Sequence, residues 1–260
     1  MIPIQTILAV LSGAVVGFSL GLIGGGGSIL AVPLLLYVVG VADPHVAIGT
    51  SALAVALNAF ANLLGHWRAG TVKWRCAIVF GSAGALGAAV GSTLGKIVKG
   101  ELLLFLFALV MFAIGFAMLR PRASGGNPNV EISPKIAARL AVIGFITGTA
   151  SGFLGIGGGF LIVPGIMLGS GIPILNAIGS SLFAVGAFAL TTAINYALSG
   201  LVAWAVAAEF IAGGAVGGFF GMKAAVRLGE RKRVLNYVFS ALIFTVAVYM
   251  LVRTGTTLAG

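Results

Sequence analysis

The sequence predicts an all-α polytopic membrane protein made of two inverted-topology repeats, each with about five apolar segments. Three observations lead to this prediction: the composition, apolar stretches long enough to span a membrane, and an internal duplication. The 260-residue chain is 60% apolar and 8% charged, with a mean hydropathy of +1.17, whereas soluble domains carry about 25% charged residues. So little charge cannot cover a water-facing surface, and we therefore expect the chain to lie in the lipid bilayer.

Ten apolar segments, five in each half, follow one another along the chain. They cover residues 4–23, 28–40, 45–66, 74–95 and 101–119 in the first half, and 137–154, 159–170, 175–197, 203–222 and 234–251 in the second. Most approach the ~20 residues that a spanning helix needs, and none alternates like a barrel strand. The predicted organisation is a first transmembrane repeat over 1–119, a cytoplasmic linker over 120–139 and a second transmembrane repeat over 140–260.

The second half repeats motifs of the first. GLIGGGGSILAVP at residues 21–33 returns as GFLGIGGGFLIVP at 152–164, and AIGTS at 47–51 returns as AIGSS at 177–181. The offset is 131 residues at the glycine phrase and 130 after it. One structural unit of roughly 110 residues is therefore present twice.

Equivalent loops of the two halves carry unequal charge. Residues 67–75 include three basic side chains, whereas the counterpart at 197–203 has none. Residues 223–233 include five, against two at 96–101. Since basic loops face the cytoplasm, the charges agree if the second half is inverted. This predicts that the linker and loop 223–233 are cytoplasmic and that both termini lie outside.

Each glycine phrase predicts a helix that breaks at membrane depth. The runs Gly24–Gly27 and Gly157–Gly159 lack Cβ atoms, so their backbone can approach a ligand closely. The apolar segment after each run is only about 12 residues long, too short for a full span. Its first amides have no helical partners and lie at the positive dipole end, which suits an anion. The alternative is that these glycines only permit close helix packing.

Each helix that contains the AIGTS or AIGSS motif carries a polar stripe on one face. In the first half the stripe comprises Ser51, Asn58 and Asn62; in the second it comprises Ser181, Thr192 and Asn195, with Phe188 in place of Asn58. Amides and hydroxyls can bind an oxyanion, although hydrogen bonding between helices would explain them equally well. The predicted substrate-binding residues are Gly26, Gly27, Ser28, Ser51, Asn58, Asn62, Gly158, Gly159, Ser181, Thr192 and Asn195.

Ionisable residues within the apolar segments are few. Glu209 lies about 8 Å beyond Trp204 along its helix. It is a candidate proton-coupling group, with snorkelling to the outer interface as the alternative. His66, beside Trp67 and Arg68 at the inner end of its helix, is expected to be interfacial.

Several other chemistries are not expected. The net charge of +10 arises from basic residues at segment ends, so no nucleic-acid partner is predicted. One cysteine and two histidines make no usual metal site, and no nucleotide or cofactor motif is present, so we expect neither a cofactor nor an enzyme. GFSLG at 17–21 fits a hydrolase string without its strand-turn-helix context. An intramembrane hydrolase with Ser19 or Ser28 as nucleophile is a weak alternative.

The chain resembles the TauE/SafE family of sulfite exporters and organosulfonate permeases over nearly its whole length. The resemblance rests on the doubled G-x-x-G-x-G-G phrase with its trailing proline, on AIGTS and AIGSS, and on the tryptophans that follow Gly70 and Gly200. It implies a multi-pass carrier in the bacterial inner membrane with its binding site between the two repeats. It also implies a small sulfur-containing anion as substrate, such as sulfite, sulfoacetate or a related organosulfonate.

These features predict a secondary transporter that works by alternating access, with an anion channel as the alternative. Its predicted partners are the small anionic substrate and the lipid bilayer. The sequence leaves the exact substrate, the direction of transport and the oligomeric state open, a homo-oligomer included.

Overall fold

The computed structural model describes residues 3–119, 126–127, 130–155, 159–228, 241 and 243–254. The elements in these ranges are all helices, which confirms the predicted class. They are α1 (Pro3–Ile23), a 3₁₀ helix (Gly24–Leu30), α2 (Ala31–Tyr37), α3 (Pro44–Arg68), α4 (Trp74–Ile97), α5 (Gly100–Leu119), α6 (Pro134–Leu154), α7 (Gly159–Ser170), α8 (Ile174–Ala197), α9 (Trp204–Leu228) and α10 (Ile243–Thr254).

Six of the described helices are long and apolar enough to cross a membrane, namely α1, α3, α4, α6, α8 and α9. The chain is therefore a multi-pass membrane protein. Most boundaries agree with the predicted segments within a few residues, but α6 begins inside the predicted linker. The Ser133 hydroxyl accepts a hydrogen bond from the amide of Ile136, and Pro134 occupies the first turn. Both are favourable helix-start signals, so the helix begins at Pro134.

Two pairs of helices run parallel with their backbones in contact. In the pair of α1 and α9, Gly17 lies against the backbone of Gly214. In the pair of α4 and α6, Gly148 lies against that of Gly84. A side chain at these glycines would overlap the partner's backbone, so the small residues are what let the helices approach. The glycines on α4 and α9 therefore serve close helix packing.

The central pair, α3 and α8, runs antiparallel and is the most buried of the six membrane-length helices. A Cβ added at Gly49, near the start of α3, would lie 2.9 Å from Tyr196, near the end of α8. One added at Gly179, near the start of α8, would lie 2.6 Å from Thr71, just beyond the end of α3. These two helices carry the AIGTS and AIGSS motifs at their opposite ends.

Charge separates the two ends of the bundle. One end, called here the basic end, holds the ends of α3 and α9 and the starts of α4, α6 and α8. Its basic residues in the described ranges are Arg68, Lys73, Arg75, Lys135, Arg139, Lys223 and Arg227. The other, called the opposite end, holds the starts of α1, α3 and α9 and the ends of α4, α8 and α10. Its basic residues in those ranges are Lys96, Lys99 and Arg253.

Candidate functional site

The two glycine phrases meet in the interior. Gly25, in the 3₁₀ helix, lies directly against the backbone of Gly159, the first residue of α7. A Cβ added at Gly25 would lie 2.6 Å from a methyl of Val185 and 2.7 Å from the carbonyl oxygen of Gly159. Residues more than 130 positions apart in sequence therefore form one backbone-to-backbone contact, which is called the glycine contact below.

Each glycine phrase is also braced by the AIGTS or AIGSS motif of the other half. Gly24, with φ +75°, lies against Ile178 of α8, and Gly155, with φ +68°, lies against Ile48 of α3. In addition, the amide of Gly25 donates a 3.5 Å hydrogen bond to the hydroxyl of Ser181. Gly24 and Gly155 have left-handed backbone angles, which favour glycine. The bracing is thus crossed between the two repeats.

Thr50 of the AIGTS motif and Ser180 of the AIGSS motif form a second pair of contacts between the two halves. The amide of Ala203 donates a 2.9 Å hydrogen bond to the Thr50 hydroxyl, and the amide of Lys73 donates a 2.8 Å bond to the Ser180 hydroxyl. Each bond ties one half's motif to the loop before the other half's α4 or α9. These two bonds were not predicted from the sequence, although the recurrence of both the motif and the loop in each half is a signal for them.

Replacing Thr50 with valine is expected to lower the thermal unfolding midpoint of the protein in detergent. Valine keeps the shape but leaves the part-buried amide of Ala203 without its acceptor, which costs about 0.5–1.5 kcal/mol for a typical hydrogen bond. Thr50→Ser is the matched control, because serine already performs this role at Ser180. An unchanged midpoint in Thr50→Val would contradict the structural role of this bond.

The polar stripe of α3 lies beside α1 and α9. Asn58 is 1% exposed, faces Gly214, and neither its amide nitrogen nor its amide oxygen has a hydrogen-bond partner. Asn62 donates a 2.8 Å bond to the backbone carbonyl of Asn58 and lies against Gly218 and Gly21. Buried polar groups are normally paired, so the amide of Asn58 stands out as unused hydrogen-bonding capacity beside a glycine-lined helix pair.

On α8 the equivalent stripe is less polar. Phe188 faces Gly84 and stacks on Phe80 with the ring centroids 6.1 Å apart. Thr192 is 1% exposed and its hydroxyl has no partner. The two faces occupy equivalent places in the fold, yet α8 carries the ring of Phe188 where α3 carries the amide of Asn58. The site is therefore chemically asymmetric.

Two predicted residues lie away from the glycine contact, towards the opposite end. The Asn195 side chain accepts a 2.7 Å hydrogen bond from Lys96 and donates to the hydroxyls of Ser92 and Thr93. Glu209 accepts a 2.9 Å bond from Thr6 at one carboxylate oxygen, while the other is buried without a partner. The structure thus does not bring Asn195 together with Ser51 and Ser181, and it separates Glu209 from them.

The remaining predicted residues near Gly25 are internally bonded. The hydroxyl of Ser28 donates to the carbonyl of Gly25 at 2.9 Å, and that of Ser51 donates to Ile48 at 2.9 Å. Gly27 packs on Ser19, whose hydroxyl donates to Val15 at 2.8 Å. Ser19 and Ser28 thus bond to carbonyls rather than to a base, unlike an activated nucleophile. The backbone of Gly26 continues the 3₁₀ helix, and Gly158 lies outside the described residues.

His66, predicted to be interfacial, lies at the end of α3 with its side chain buried in the bundle. It is 4% exposed, with Nδ1 3.1 Å from the Thr71 hydroxyl and Nε2 3.5 Å from the carbonyl oxygen of Gly21. The neighbouring Trp67 and Arg68 are exposed, so the three side chains point in different directions. His66 thereby links the end of α3 to the last turn of α1, at the first residue of the first glycine phrase.

Comparisons with known proteins agree with this architecture. The model of the family described as Sulfite exporter TauE/SafE matches residues 9–250. A probable membrane transporter protein of Xylella fastidiosa (strain Temecula1) is 50% identical over 259 residues, covering 98% of both chains. The probable membrane transporter protein YunE of Bacillus subtilis (strain 168) is 28% identical over 238 residues, covering 83% of this chain and 86% of its own. No solved structure matches the chain.

These matches confirm the family that the sequence motifs indicated. The doubled glycine phrase and the paired AIGTS and AIGSS motifs, which carried the resemblance, form the crossed contacts at the centre of the bundle. The six membrane-length helices among the described residues fit a membrane transporter. The chain belongs to the TauE/SafE family and is a multi-pass membrane transporter.

Proposed function

We propose that the protein is a secondary transporter that moves small sulfur-containing anions across the bacterial inner membrane by alternating access. The proposed substrates are sulfite, sulfoacetate and related organosulfonates. The description of the family as sulfite exporters supports this proposal. The observation that carries the proposal is the glycine contact. Two glycine-rich segments meet between α3 and α8, beside serine hydroxyls that could serve as ligands together with the backbone amides.

An inverted repeat is supported by the directions of the helices. The AIGTS and AIGSS motifs mark α3 and α8 as equivalent members of the two halves. If the halves pointed the same way, equivalent helices would run parallel, but α3 and α8 run antiparallel. With the basic end in the cytoplasm, the rule for basic loops is satisfied in both halves. Inverted repeats with broken helices at their interface are an established transporter architecture.

Labelling of equivalent loop positions tests the inversion. Ala69 and Ser199 are equivalent, exposed positions after α3 and α8. In a Cys76→Ser background, Ala69→Cys should react with an impermeant maleimide only from the cytoplasmic side, and Ser199→Cys only from the periplasmic side. Reaction of both cysteines from one side would contradict the inverted topology.

The chemistry of the contact suits an oxyanion. The start of α7 and the 3₁₀ helix offer backbone amides, and the start of a helix is electropositive. In the closed arrangement the hydroxyls of Ser51 and Ser181 donate to carbonyls of their own helices, at 2.9 and 2.7 Å. We place the anion among Gly26, Gly27, Ser28, Gly158, Gly159, Ser51 and Ser181, with Asn58, Asn62 and Thr192 beside it, and leave Asn195 out.

A carrier is favoured over an open channel. Ser28 and Ser51 are each 1% exposed and Ser181 is fully buried, so the proposed ligands are sealed from both ends of the bundle. A closed centre is the occluded state that alternating access requires, whereas a conducting channel needs a continuous open path. The parallel pairs α1 with α9 and α4 with α6 are closely packed, and the proposal has each pair move as a unit against the central helices.

Glu209 remains the candidate for proton coupling. Its carboxylate is held by Thr6 at one oxygen, and the second oxygen is buried and unpaired in a segment of membrane-spanning length. Ionisable groups in such segments commonly mark ion pathways. Glu209→Gln should therefore abolish the response of flux to an imposed pH gradient while leaving exchange of substrate for substrate intact.

Purified protein in liposomes tests the proposal. We expect saturable sulfite or organosulfonate flux that is lost in Ser181→Ala and retained in Ser199→Ala, a hydroxyl deletion at the opposite end. Linear, non-saturating flux would indicate a channel instead. Absence of flux for every sulfur anion, with the protein shown to be folded, would remove the substrate assignment.

A further inference from the structure

A cleft of about 400 Å³ opens at the basic end, on the seam between the two repeats. The loop before α4 and its first turn form one wall, Val130 and Ile132 near the end of the linker form a second, and Ile172 from the loop between α7 and α8 completes the lining. The lining residues are Val72, Lys73, Trp74, Arg75, Cys76, Val130, Ile132 and Ile172. This cleft is separate from the glycine contact.

The lining of this cleft combines two cations with apolar walls. Lys73 and Arg75 supply the positive charge, while Val130, Ile132 and Ile172 supply branched aliphatic surface. An inorganic oxyanion makes no favourable contact with aliphatic walls. An amphiphile with an anionic head and an apolar tail can contact both the two cations and the aliphatic side chains. Basic pockets between spanning helices on the cytoplasmic side are suited to lipid head groups.

Size points the same way. A water molecule's share of liquid volume is about 30 Å³, so an ion of four heavy atoms such as sulfite fills on the order of 100 Å³. The cleft is several times larger, and its volume falls in the range of about 300–1,000 Å³ that holds organic ligands. A glycerophosphate head group with the first carbons of its acyl chains is of that size.

The cleft also lies at the depth where head groups are found. Trp67 and Trp74 are exposed there and pack edge to face with ring centroids 6.2 Å apart. Exposed tryptophans of this kind gather at membrane–water interfaces. Ile78, one turn further along α4, is 50% exposed. Apolar surface therefore continues from the cleft along the outside of the bundle, in the direction that an acyl chain would take.

We propose that this cleft binds the phosphodiester head group of an anionic phospholipid from the leaflet at the basic end. Lys73 and Arg75 contact the phosphate, and the aliphatic walls hold the glycerol backbone. The lipid bridges the seam, because the linker wall is fixed to the second repeat. Asn127 donates a 3.1 Å hydrogen bond to the carbonyl of Gly171, and Gly126 packs against Ile172 and Pro173. This site goes beyond the proposed transport and stands without it.

Lipid titration of the purified full-length protein in neutral detergent, followed by native mass spectrometry, tests this site. Phosphatidylglycerol should bind in preference to phosphatidylcholine. The variant Lys73→Gln/Arg75→Gln should bind phosphatidylglycerol about 30-fold more weakly, because each cation near the membrane surface contributes roughly 1 kcal/mol to the binding free energy. The matched control, Arg68→Gln/Lys223→Gln, removes the same charge at the same end outside the cleft and should change binding by no more than about twofold.

A variant that fills the cleft separates the lipid from a free anion. Ile132→Trp leaves the charge unchanged and should weaken phosphatidylglycerol binding as strongly as the charge variant does. Inorganic phosphate and sulfite, added at the same concentrations, should not displace the lipid. Displacement by either ion would assign the cleft to a small anion and overturn the proposal. Equal phosphatidylglycerol binding by the wild type and Lys73→Gln/Arg75→Gln would also overturn it.

Discussion

Replacing Gly159 with alanine is expected to abolish anion flux in proteoliposomes. The new Cβ would overlap the carbonyl group of Gly25 and force the two glycine segments apart. Overpacking of this kind costs about 1–3 kcal/mol, and backbone has little freedom to yield. Gly25→Ala approaches the same contact from the other side, within 2.6 Å of Val185, and should have the same effect.

Gly200→Ala is the control for these two variants. Gly200 has φ +72° and no atom within 4 Å of an added Cβ, so alanine there introduces backbone strain without a collision. That strain costs roughly 1–2 kcal/mol and should leave flux near the wild-type rate. Thermal unfolding in detergent identifies variants that fail to fold. Wild-type flux through folded Gly159→Ala and Gly25→Ala would show that the glycine contact does not take part in transport.

Replacing Asn58 with alanine is expected to lower flux by about 10- to 100-fold without lowering the thermal unfolding midpoint. The amide is buried and unpaired in the closed structure, where such a group costs about 1–3 kcal/mol. Its removal therefore offsets the packing that is lost. If the amide binds the anion once the helices part, its loss forfeits a hydrogen bond to a charged group, worth about 1.5–3 kcal/mol.

Asn195→Ala provides the contrast, because the amide of Asn195 is committed to Lys96, Ser92 and Thr93. This variant should lower the unfolding midpoint and leave flux nearly unchanged. The opposite pattern for Asn58→Ala, with a lower midpoint and full flux, would identify Asn58 as a structural residue of the helix interface.

The positions of the helices could be predicted because lipid imposes strong local constraints on sequence. Apolar stretches of a set length predict where the helices lie, and proline at some helix starts and glycine at some helix ends mark several of the boundaries without knowledge of the contacts. The internal duplication also predicted which helices of the two halves are equivalent. The helix pairs themselves could not be predicted, since the contact of Gly25 with Gly159 depends on tertiary packing between distant segments.

The polar stripe of α8 shows that helical periodicity predicts which residues share a face but not which residues meet at one site. Ser181 and Asn195 do share a helix, but 14 residues separate them, which is about 21 Å along the axis. The two residues therefore lie at different depths although they share a face. Near the opposite end, Lys96 donates a hydrogen bond to the side chain of Asn195. The burial of His66 could not be predicted for a related reason, since neighbours in sequence on a helix point in different directions.

The crossed bracing of the glycine phrases has a consequence for biosynthesis. Gly24 and Gly25 find Ile178 and Ser181 only after α8 has been made, which is more than 150 residues later. We therefore expect the first half to enter the membrane before the partners of Gly24 and Gly25 exist. Packing around these two glycines is completed only once the second half has been made, so the two halves of the chain do not finish folding independently.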